Sequence, residues 1–514
     1  MRADAATRQH WARTTLPEGT TPRAVVWPGC AEEVRAVLRI AYEHRIAVYP
    51  ISSGRNWGYG DACAPGDGQV LLDLSRMNRI VEVNADLAYA TVEPGVTQGQ
   101  LTAFLERQGM ALMADATGAG PDTSLIGNTL ERGFGHTPHG DRFAHVCGLE
   151  AVLPDGRLLR TGFGHLGGAR SAAVYRWGVG PYLDGLFTQS NFGVVTRMTV
   201  WLQPKPEALR AFFFSLSDDA RLWDLLEALR RLRLRGTLRS PVHTANDLRM
   251  ISMSERYPWD AMRGDTPLCE ALRSELRNNH GIGAWCGSGG LYGSEAEVAA
   301  AAGEVRKALR RVPGLRLVFL DERRLRWARA GAKCLGKLGL GQSLCRALEK
   351  MELGFDLLRG KPTRLCLNGG MWRSRRAVPA EGSDDPRDLG AGFLWLSPVI
   401  PCTREDLARL HAAVLPIFRT HGFDYLSTLS MVSERALSAV MTICFDKDDA
   451  ADTERARCCQ AELLETLLAA GYPPYRAHAG TMRRIAQLSE TYFDVARELK
   501  AALDPRGILA PGRW

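Results

Sequence analysis

The chain has 514 residues, which at about 150 residues per domain suggests two to four domains and excludes a single small binding module. Hydrophobic residues make up 45% of the sequence and charged residues 24%, proportions that exclude a disordered, collagenous or coiled-coil chain. The net charge is +8, and many of the arginines lie in helical stretches that also contain acidic and apolar residues. These basic stretches have no interleaved aromatic residues that could stack on bases, so we expect no nucleic-acid partner.

The sequence carries no signal for export or membrane insertion. Its first residues lack the apolar segment of a signal peptide, and no apolar stretch approaches the roughly 18 residues of a membrane span. The twelve cysteines are scattered and form no Cys-x-x-Cys pair, which predicts neither a zinc ribbon nor a disulfide framework. We therefore expect a cytoplasmic protein with no membrane partner.

Helix-like and strand-like segments alternate through the first 200 residues, which predicts an α+β or α/β unit with many short connections. The predicted elements are a helix over 31–45, a strand over 46–51, a strand over 69–74, a β-hairpin over 79–92 that turns at 84–86, and a helix over 97–108.

Two long segments of this region, 114–145 and 162–186, show neither helical nor alternating periodicity. Loops of this length in a compact domain are usually functional. The first segment contains a cluster of His136, His139, Asp141 and His145, whose spacing is compatible with zinc. Loop histidines that hydrogen-bond the backbone or line a cofactor entrance are the alternative that we favour, so we predict no metal.

After Pro204 the sequence changes to charged amphipathic helices separated by apolar runs, which predicts a second, α+β domain. One of these runs, residues 392–400, is typical of a strand. Two further helical patterns and a turn-rich segment, 504–514, follow. The predicted helices cover residues 218–235, 294–312, 403–419, 454–470 and 485–503.

The strongest local signal is the stretch PISSGRNWGYG at residues 50–60, directly after a predicted strand. Glycines and small polar residues at the end of a strand turn backbone N–H groups toward one point, which suits a pyrophosphate. Residues 94–96, 117–128 and 189–196 have the same character. The four segments together predict loops that converge on a long cofactor, although none matches a Rossmann or P-loop motif.

These and other stretches resemble one protein family. They are PISSGRNWGYG (50–60), VEPGVTQGQL (92–101), SLIGNTLERGFGHTPHGDRF (124–143), WGVGPYLDGLFTQSNFGVVT (177–196), YR (475–476) and DPRGILAPGR (504–513). The sequence resembles the vanillyl-alcohol oxidase and p-cresol methylhydroxylase family of flavoproteins. The resemblance implies a two-domain α+β fold, in which an FAD-binding domain of residues 1–205 and 474–514 is covered by a cap domain of residues 206–473.

The resemblance also implies the cofactor and the residues around it. FAD is expected to be noncovalent, because Phe393 and Asn56 stand where related proteins carry the histidines that link the flavin. The residues implied to bind FAD are Ser53, Gly54, Arg55, Asn56, Trp57, Thr117, Ser124, Gly127, Asn128, Val194, Val195 and Arg513.

Family members that oxidise 4-alkylphenols bind the phenolate oxygen with two tyrosines and an arginine, which this chain matches at Tyr59, Tyr475 and Arg476. Such donors lower the pKa of a phenol, and a phenolate pushes electrons through its ring as a hydride leaves the para substituent. The resemblance therefore implies an FAD-dependent oxidoreductase that oxidises a para-substituted phenol or other aromatic compound by hydride transfer to flavin N5. Phe393 and Trp395 are expected to line its substrate pocket.

One departure concerns Ala119, because vanillyl-alcohol oxidase has an aspartate there near flavin N5. The residue that would act as a base is therefore left open. Two alternatives follow: a flavin enzyme acting on an alcohol, amine or C–C bond of a natural-product scaffold, and a flavin-free binding protein with the same fold. For the enzyme we expect O2 or an electron-acceptor protein as the oxidant, and a homo-oligomer.

Overall fold

The computed structural model describes residues 1–337, 342–377 and 385–514. In the N-terminal part, short strands alternate with helices and long connections. The strands there are β1 (Ala24–Val26), β2 (Val48–Ile51), β3 (Val70–Asp73), β4 (Ile80–Asn84), β5 (Tyr89–Val92), β6 (Leu112–Met113), β7 (Val146–Val152), β8 (Leu158–Arg160), β9 (Val194–Trp201) and β10 (Gln203–Pro204). The helices there are α1 (Ala5–Ala12), α2 (Ala31–His44), α3 (Gln98–Arg107) and α4 (Leu125–Leu130).

A parallel sheet with the strand order β1-β3-β2 lies at the start of the chain. Helix α2 covers this sheet with Val34, Leu38 and Ala41, which are buried and share one helical face. The C-terminal tail joins the same unit, because Leu509 forms a parallel bridge with Val48 of β2. The first and last segments of the chain therefore share one buried core.

Strands β4, β5, β9, β7 and β8 form an antiparallel sheet in that order. Leu101 of α3 and Ile126 of α4 lie in the apolar cluster beneath it. Helix α4 differs from the prediction of a loop over 114–145. Ser124 caps this helix by accepting a hydrogen bond from Gly127 N at 3.0 Å. The helix spans six residues, too few to produce a recognisable periodicity.

The rest of the chain forms a second sheet with helices. Its strands are β11 (Ala208–Leu216), β12 (Val242–Asn246), β13 (Trp285–Gly293), β14 (Leu315–Leu320), β15 (Ala391–Leu396), β16 (Val399–Pro401), β17 (Leu426–Met431) and β18 (Ala436–Asp446). The helices are α5 (Leu222–Leu234), α6 (Asp247–Ser252), α7 (Glu270–Asn279), α8 (Glu295–Leu309), α9 (Glu322–Lys337), α10 (Gln342–Leu358), α11 (Leu365–Asn368), α12 (Arg404–Thr420), α13 (Ala450–Ala469), α14 (Met482–Ala486) and α15 (Glu490–Leu503).

This large antiparallel sheet has the order β14-β11-β13-β12-β17-β18-β15, and β16 also pairs with β18. Leu394 and Leu396 of β15 face a core that includes buried residues of α5, α8, α12 and α13. Because successive strand residues point to opposite faces, Phe393 and Trp395 lie on the other face, in a separate cluster. The face of the large sheet that carries Phe393 and Trp395 is therefore the one available to line a functional site.

The predicted strand over 392–400 is divided in two. Strand β15 ends at Leu396 and β16 begins at Val399, because Pro398 has no N–H to donate to the ladder. Ser397 lies at this break, and its carbonyl accepts a hydrogen bond from Tyr475 N at 3.1 Å. The interruption therefore connects the large sheet to the C-terminal segment.

The predicted helices near α2, α3, α5, α8, α12 and α13 are confirmed within a few residues at each end. The predicted helix over 485–503 instead forms α14 and α15, separated by residues 487–489. Within the described ranges, no helix has the length and apolar character needed to cross a membrane. The domain bounds 1–205, 206–473 and 474–514 stay a prediction.

Candidate active site

A cavity of about 690 Å3 lies between the loops of the N-terminal part and the second face of the large sheet. The N-terminal loops contribute the residues that follow β2, those around α4 and those that precede β9. The sheet contributes side chains such as Phe213 of β11, His243 of β12 and Trp395 of β15. Segments distant in sequence therefore line one cavity.

The loop over 50–60 approaches the large sheet closely. Gly54 and Gly58 have φ angles of 64° and 69°, a left-handed conformation that favours glycine. A Cβ at Gly58 would lie 2.3 Å from Cδ1 of Trp395, so a larger residue would clash there. Trp395 N also donates a hydrogen bond to the carbonyl of Gly58 at 3.3 Å. The loop is therefore held against β15.

Of the four loops that the sequence associates with FAD, those over 50–60, 117–128 and 189–196 contribute residues to this cavity, whereas none of residues 94–96 lines it. Ser124 N donates a hydrogen bond to Ser53 Oγ at 3.4 Å, which joins two of them. A Cβ at Gly127 would lie 3.1 Å from Ser52 Oγ, so glycine lets these segments approach. These neutral polar groups and glycines fit a long cofactor such as FAD. The lining includes Ser53, Gly54, Arg55, Asn56, Trp57, Thr117, Ser124, Gly127, Asn128, Val194, Val195 and Arg513.

Tyr59, Tyr475 and Arg476 lie beside one another on the wall of the cavity, and we name them, together with Glu131 and Arg513, the cationic corner. The guanidinium carbon of Arg476 lies 4.1 Å from the centre of the Tyr59 ring. The hydroxyl of Tyr59 lies 3.2 Å from Ser397 Oγ. Two tyrosines and one arginine thus line the same part of the cavity.

The cationic corner carries an excess of positive charge. Glu131 Oε2 lies 3.3 Å from Arg476 Nε, and the other carboxylate oxygen forms an ion pair with Arg513. Burial alone would raise the pKa of Glu131, but Arg513 and Arg476 outweigh it and hold that pKa below its usual value. Two cations share one carboxylate, so this part of the cavity favours an added anion.

Tyr475 is suited to donate rather than to accept a proton. Burial, followed by the neighbouring Tyr59, raises the pKa of Tyr475 well above its usual value. Its hydroxyl therefore stays protonated at neutral pH. The ring of Phe134 lies 5.5 Å from the Tyr475 ring and covers it.

Two predicted residues lie differently from expectation. The Oδ1 atom of Asn56 accepts a hydrogen bond from Arg476, so Asn56 also belongs beside the cationic corner. Phe393 was expected to line the substrate pocket, but its side chain is fully buried and does not reach the cavity. Its ring fills a space next to Gly370 and Trp395. Trp395 alone of this pair lines the cavity.

The carboxylates near Ala119 are all engaged. Asp115 forms a buried ion pair with Arg142 at 2.8 Å, and Asp122 forms ion pairs with Arg55 and Arg364. Asp61, at another edge of the cavity, accepts hydrogen bonds from Thr14 and Thr15. Among the cavity-lining residues described, we therefore find no carboxylate free to act as a base beside Ala119.

The histidines of the loop over 114–145 do not gather around one point. The ring of His136 lies 4.2 Å from that of His243, whereas His139 stacks on His145 at 3.7 Å. Burial, then Arg142, lowers the pKa of His136 to about 4, which keeps this histidine neutral. No group of three or more potential metal ligands occurs in the part of the chain described.

Sequence reasoning missed the role of Glu131 and the contact of Ser397. Nothing in the sequence shows that two distant arginines, Arg476 and Arg513, meet Glu131. Ser397 precedes a proline within an apolar run, a signal that indicates a strand break and could have located it.

The chain matches two families of known domains and several whole proteins. Residues 22–162 match the FAD binding domain family, and residues 370–514 match the family of FAD linked oxidases, C-terminal domain. The chain is 40% identical to 1'-carboxy-chondrochloren decarboxylase of Chondromyces crocatus, over 98% of this chain and 92% of that protein. It is 31% identical to the 4-cresol dehydrogenase (hydroxylating) flavoprotein subunit of Pseudomonas putida, over 96% of this chain and 87% of that protein.

Two solved structures resemble the whole chain. Substrate-bound p-cresol methylhydroxylase is 28% identical, with a TM-score of 0.88 over 99% of this chain and 93% of that one. The 4-ethylphenol oxidase of Gulosibacter chungangensis, in complex with isoeugenol, is 31% identical, with a TM-score of 0.89 over 100% of this chain and 93% of that one.

Proposed function

Because this chain belongs to the vanillyl-alcohol oxidase and p-cresol methylhydroxylase family of flavoproteins, we propose that it oxidises a 4-hydroxyphenyl compound at the benzylic carbon. The predicted two-domain α+β fold, FAD as the cofactor and the class of FAD-linked oxidoreductase are confirmed by this membership. The flavin-free binding protein is thereby set aside. The observation that carries the proposal is the meeting of Tyr59, Tyr475 and Arg476 in a positively charged corner.

The residues of the cationic corner bind and ionise the phenol in this proposal. Arg476 favours the phenolate by charge, and Tyr59 and Tyr475 donate hydrogen bonds to the same oxygen. A phenolate releases a hydride from the benzylic carbon far more readily than a neutral phenol, because the oxygen supplies electrons to the ring. When bound, FAD would supply the acceptor for this hydride. Glu131 holds Arg476 in place through their ion pair at 3.3 Å.

Anaerobic reduction of the holoenzyme by a panel of 4-alkylphenols tests the proposal. We expect 4-ethylphenol and 4-propylphenol to bleach the visible absorbance of the flavin. The meta isomer 3-ethylphenol is the matched control, because its oxygen is not conjugated with the benzylic carbon, and it should leave the absorbance unchanged. Flavin that no para-substituted phenol reduces would refute the proposal.

We expect the FAD to be noncovalent. Asn56 is engaged by Arg476 and Phe393 is buried outside the cavity, and neither side chain is able to bond to a flavin. Denaturation with acid should therefore release all yellow colour into the supernatant, at about one FAD per chain. Colour retained in the washed precipitate would contradict this prediction.

Oxidation at a C–C bond is a second candidate function. The relative from Chondromyces crocatus carries the name of a decarboxylase and aligns over nearly the whole chain. Loss of CO2 from an oxidised substrate needs no base, which suits a cavity where Ala119 replaces a carboxylate. This candidate shares the first step of the proposed function and differs only in how the oxidised intermediate reacts.

The remaining predictions from the sequence concern partners and location. We propose O2 or an electron-acceptor protein as the oxidant, a homo-oligomeric state and a cytoplasmic location. Sedimentation of the purified holoenzyme measures the oligomeric state, and reoxidation of the reduced flavin with O2 or a cytochrome distinguishes the two kinds of oxidant.

A further inference from the structure

Arg249 is a buried arginine that the proposed function does not use. It lies on α6 and lines the cavity, with 5% of its surface exposed. Its Nη2 atom donates a hydrogen bond to the carbonyl of Cys366 at 2.8 Å, whereas Nη1 has no hydrogen-bond partner. A Cβ at Gly369 would lie 2.2 Å from Nη1, so the glycine leaves space for the guanidinium. The surrounding chain therefore accommodates this side chain closely.

The charge of Arg249 has no carboxylate partner among the described residues. The other buried arginines all have one: Arg142 pairs with Asp115, Arg373 with Asp452, and Arg476 and Arg513 with Glu131. Burial lowers the pKa of Arg249, and the groups that oppose this are the thiols of Cys366 and Cys444. A buried cation without a counter-ion is costly, which indicates that a ligand supplies the missing anion.

Two neighbouring residues, Trp395 and Cys366, connect Arg249 to the cationic corner and to Ala119. Its guanidinium is 5.3 Å from the ring of Trp395, the residue that contacts Gly58 beside Tyr59. Cys366, which accepts its hydrogen bond, is in contact with Gly118, the neighbour of Ala119. Trp395 thus connects Arg249 to the cationic corner, and Cys366 connects it to the loop that carries Ala119.

We infer that Arg249 binds a carboxylate on the alkyl chain of the substrate, and that this carboxylate leaves as CO2 after oxidation. The inference rests on the proposed function and defines the substrate class as a 4-hydroxyphenylalkanoate with its carboxylate two carbons from the ring. Such a substrate places its anionic oxygen in the cationic corner and its carboxylate against Arg249. The cationic corner and Arg249 then each have an anion beside them.

After hydride transfer the reaction needs no base in the protein. The substrate releases its phenolic proton to solvent as it binds, and its benzylic carbon gives up a hydride to the flavin, which leaves a quinone methide. The bond between the carboxylate carbon and the chain then breaks, CO2 departs, and the electron pair forms the vinyl double bond and restores the aromatic phenolate. Recovery of aromaticity must outweigh the loss of the ion pair with Arg249. For 3-(4-hydroxyphenyl)propanoate the products are 4-vinylphenol and CO2.

The experiment compares 3-(4-hydroxyphenyl)propanoate with 4-propylphenol, in which a methyl group replaces the carboxylate. In Arg249→Met holoenzyme, we expect kcat/KM for the acid to fall on the order of 100-fold, because one partner of a buried charge pair is lost. The value for 4-propylphenol should stay the same. Arg249→Lys should restore part of the loss, since lysine returns the positive charge but lacks the planar guanidinium that binds both oxygens of a carboxylate. Arg256→Met is the matched control, because Arg256 is half-buried and outside the cavity.

Calorimetric binding of 3-phenylpropanoate gives a readout that does not depend on turnover. This ligand has the carboxylate but no phenolic oxygen, and Arg249→Met should weaken its binding while Arg256→Met should not. Equal losses with the acid and 4-propylphenol, unchanged binding of 3-phenylpropanoate, or a product that keeps its carboxylate would each overturn the inference. If neither phenol reduces the flavin, the proposed function fails, whereas retained reduction by 4-propylphenol with no role for Arg249 overturns the inference alone.

Discussion

Arg476→Ala should slow flavin reduction by a 4-alkylphenol about 100-fold or more, because it removes the cation that stabilises the phenolate. The guanidinium lies over the ring of Tyr59 and is held by Glu131, so its charge is fixed where we propose that the phenolic oxygen binds. Without it the bound phenol keeps a higher pKa. The reduction rate of the variant should therefore rise with pH over a range in which the unaltered enzyme has already reached its plateau.

Stopped-flow reduction across a pH series measures this effect. Tyr59→Phe and Tyr475→Phe should lower the rate in the same direction but less, because neutral donors form weaker hydrogen bonds. Arg484→Ala is the control, since Arg484 belongs to the same C-terminal segment but pairs with Glu465 on the surface. A pH profile of Arg476→Ala that matches the unaltered enzyme would show that Arg476 does not bind the phenolic oxygen.

Ala119→Asp should change the product of 4-ethylphenol from mainly the vinyl compound to mainly the alcohol. Water attack on a quinone methide benefits from a general base, typically by about 100- to 10000-fold in rate. Near Ala119 the carboxylates of Asp115 and Asp122 are held by arginines, so in the unaltered enzyme we expect loss of a second proton to give the alkene. An aspartate at 119 would supply the base.

The ratio of 4-vinylphenol to 18O-labelled alcohol in H2-18O buffer measures this branch directly. Ala119→Asn is the matched control, because asparagine has the shape of aspartate without its basicity, and it should leave the ratio near that of the unaltered enzyme. An unaltered enzyme that already makes mostly labelled alcohol would show that another residue acts as the base.

The loops around the cofactor could be predicted because their signal is local. Glycines and small polar residues that follow a strand, as in residues 50–60, indicate a cofactor loop wherever the rest of the chain lies. Phe393 and Trp395 show the limit of this reasoning. Both lie on the same face of β15, and only the fold shows that Gly370 lets Phe393 be covered while Trp395 stays open to the cavity.

Arg249 is a clearer example of a residue whose role local sequence does not indicate. Its local sequence, LRMIS, has no motif, and an arginine in a short helix is usually solvated. Its proposed role depends on the absence of a carboxylate beside it among the described residues. No sequence pattern shows that a buried charge lacks such a partner. Glu131 is the converse, because its partners Arg476 and Arg513 are distant in sequence, and the ion pair with Arg513 spans 382 residues.

This separation bears on how the protein is made in the cell. The ribosome adds Arg513 382 residues after Glu131, and Arg476 follows its partner Asn56 by 420 residues. The N-terminal cofactor loops therefore emerge long before the segment that completes the cationic corner. A nascent chain stalled before residue 475 would hold FAD weakly. We expect flavin loading to follow translation rather than accompany it, and the growing chain to expose an unfinished core in the meantime.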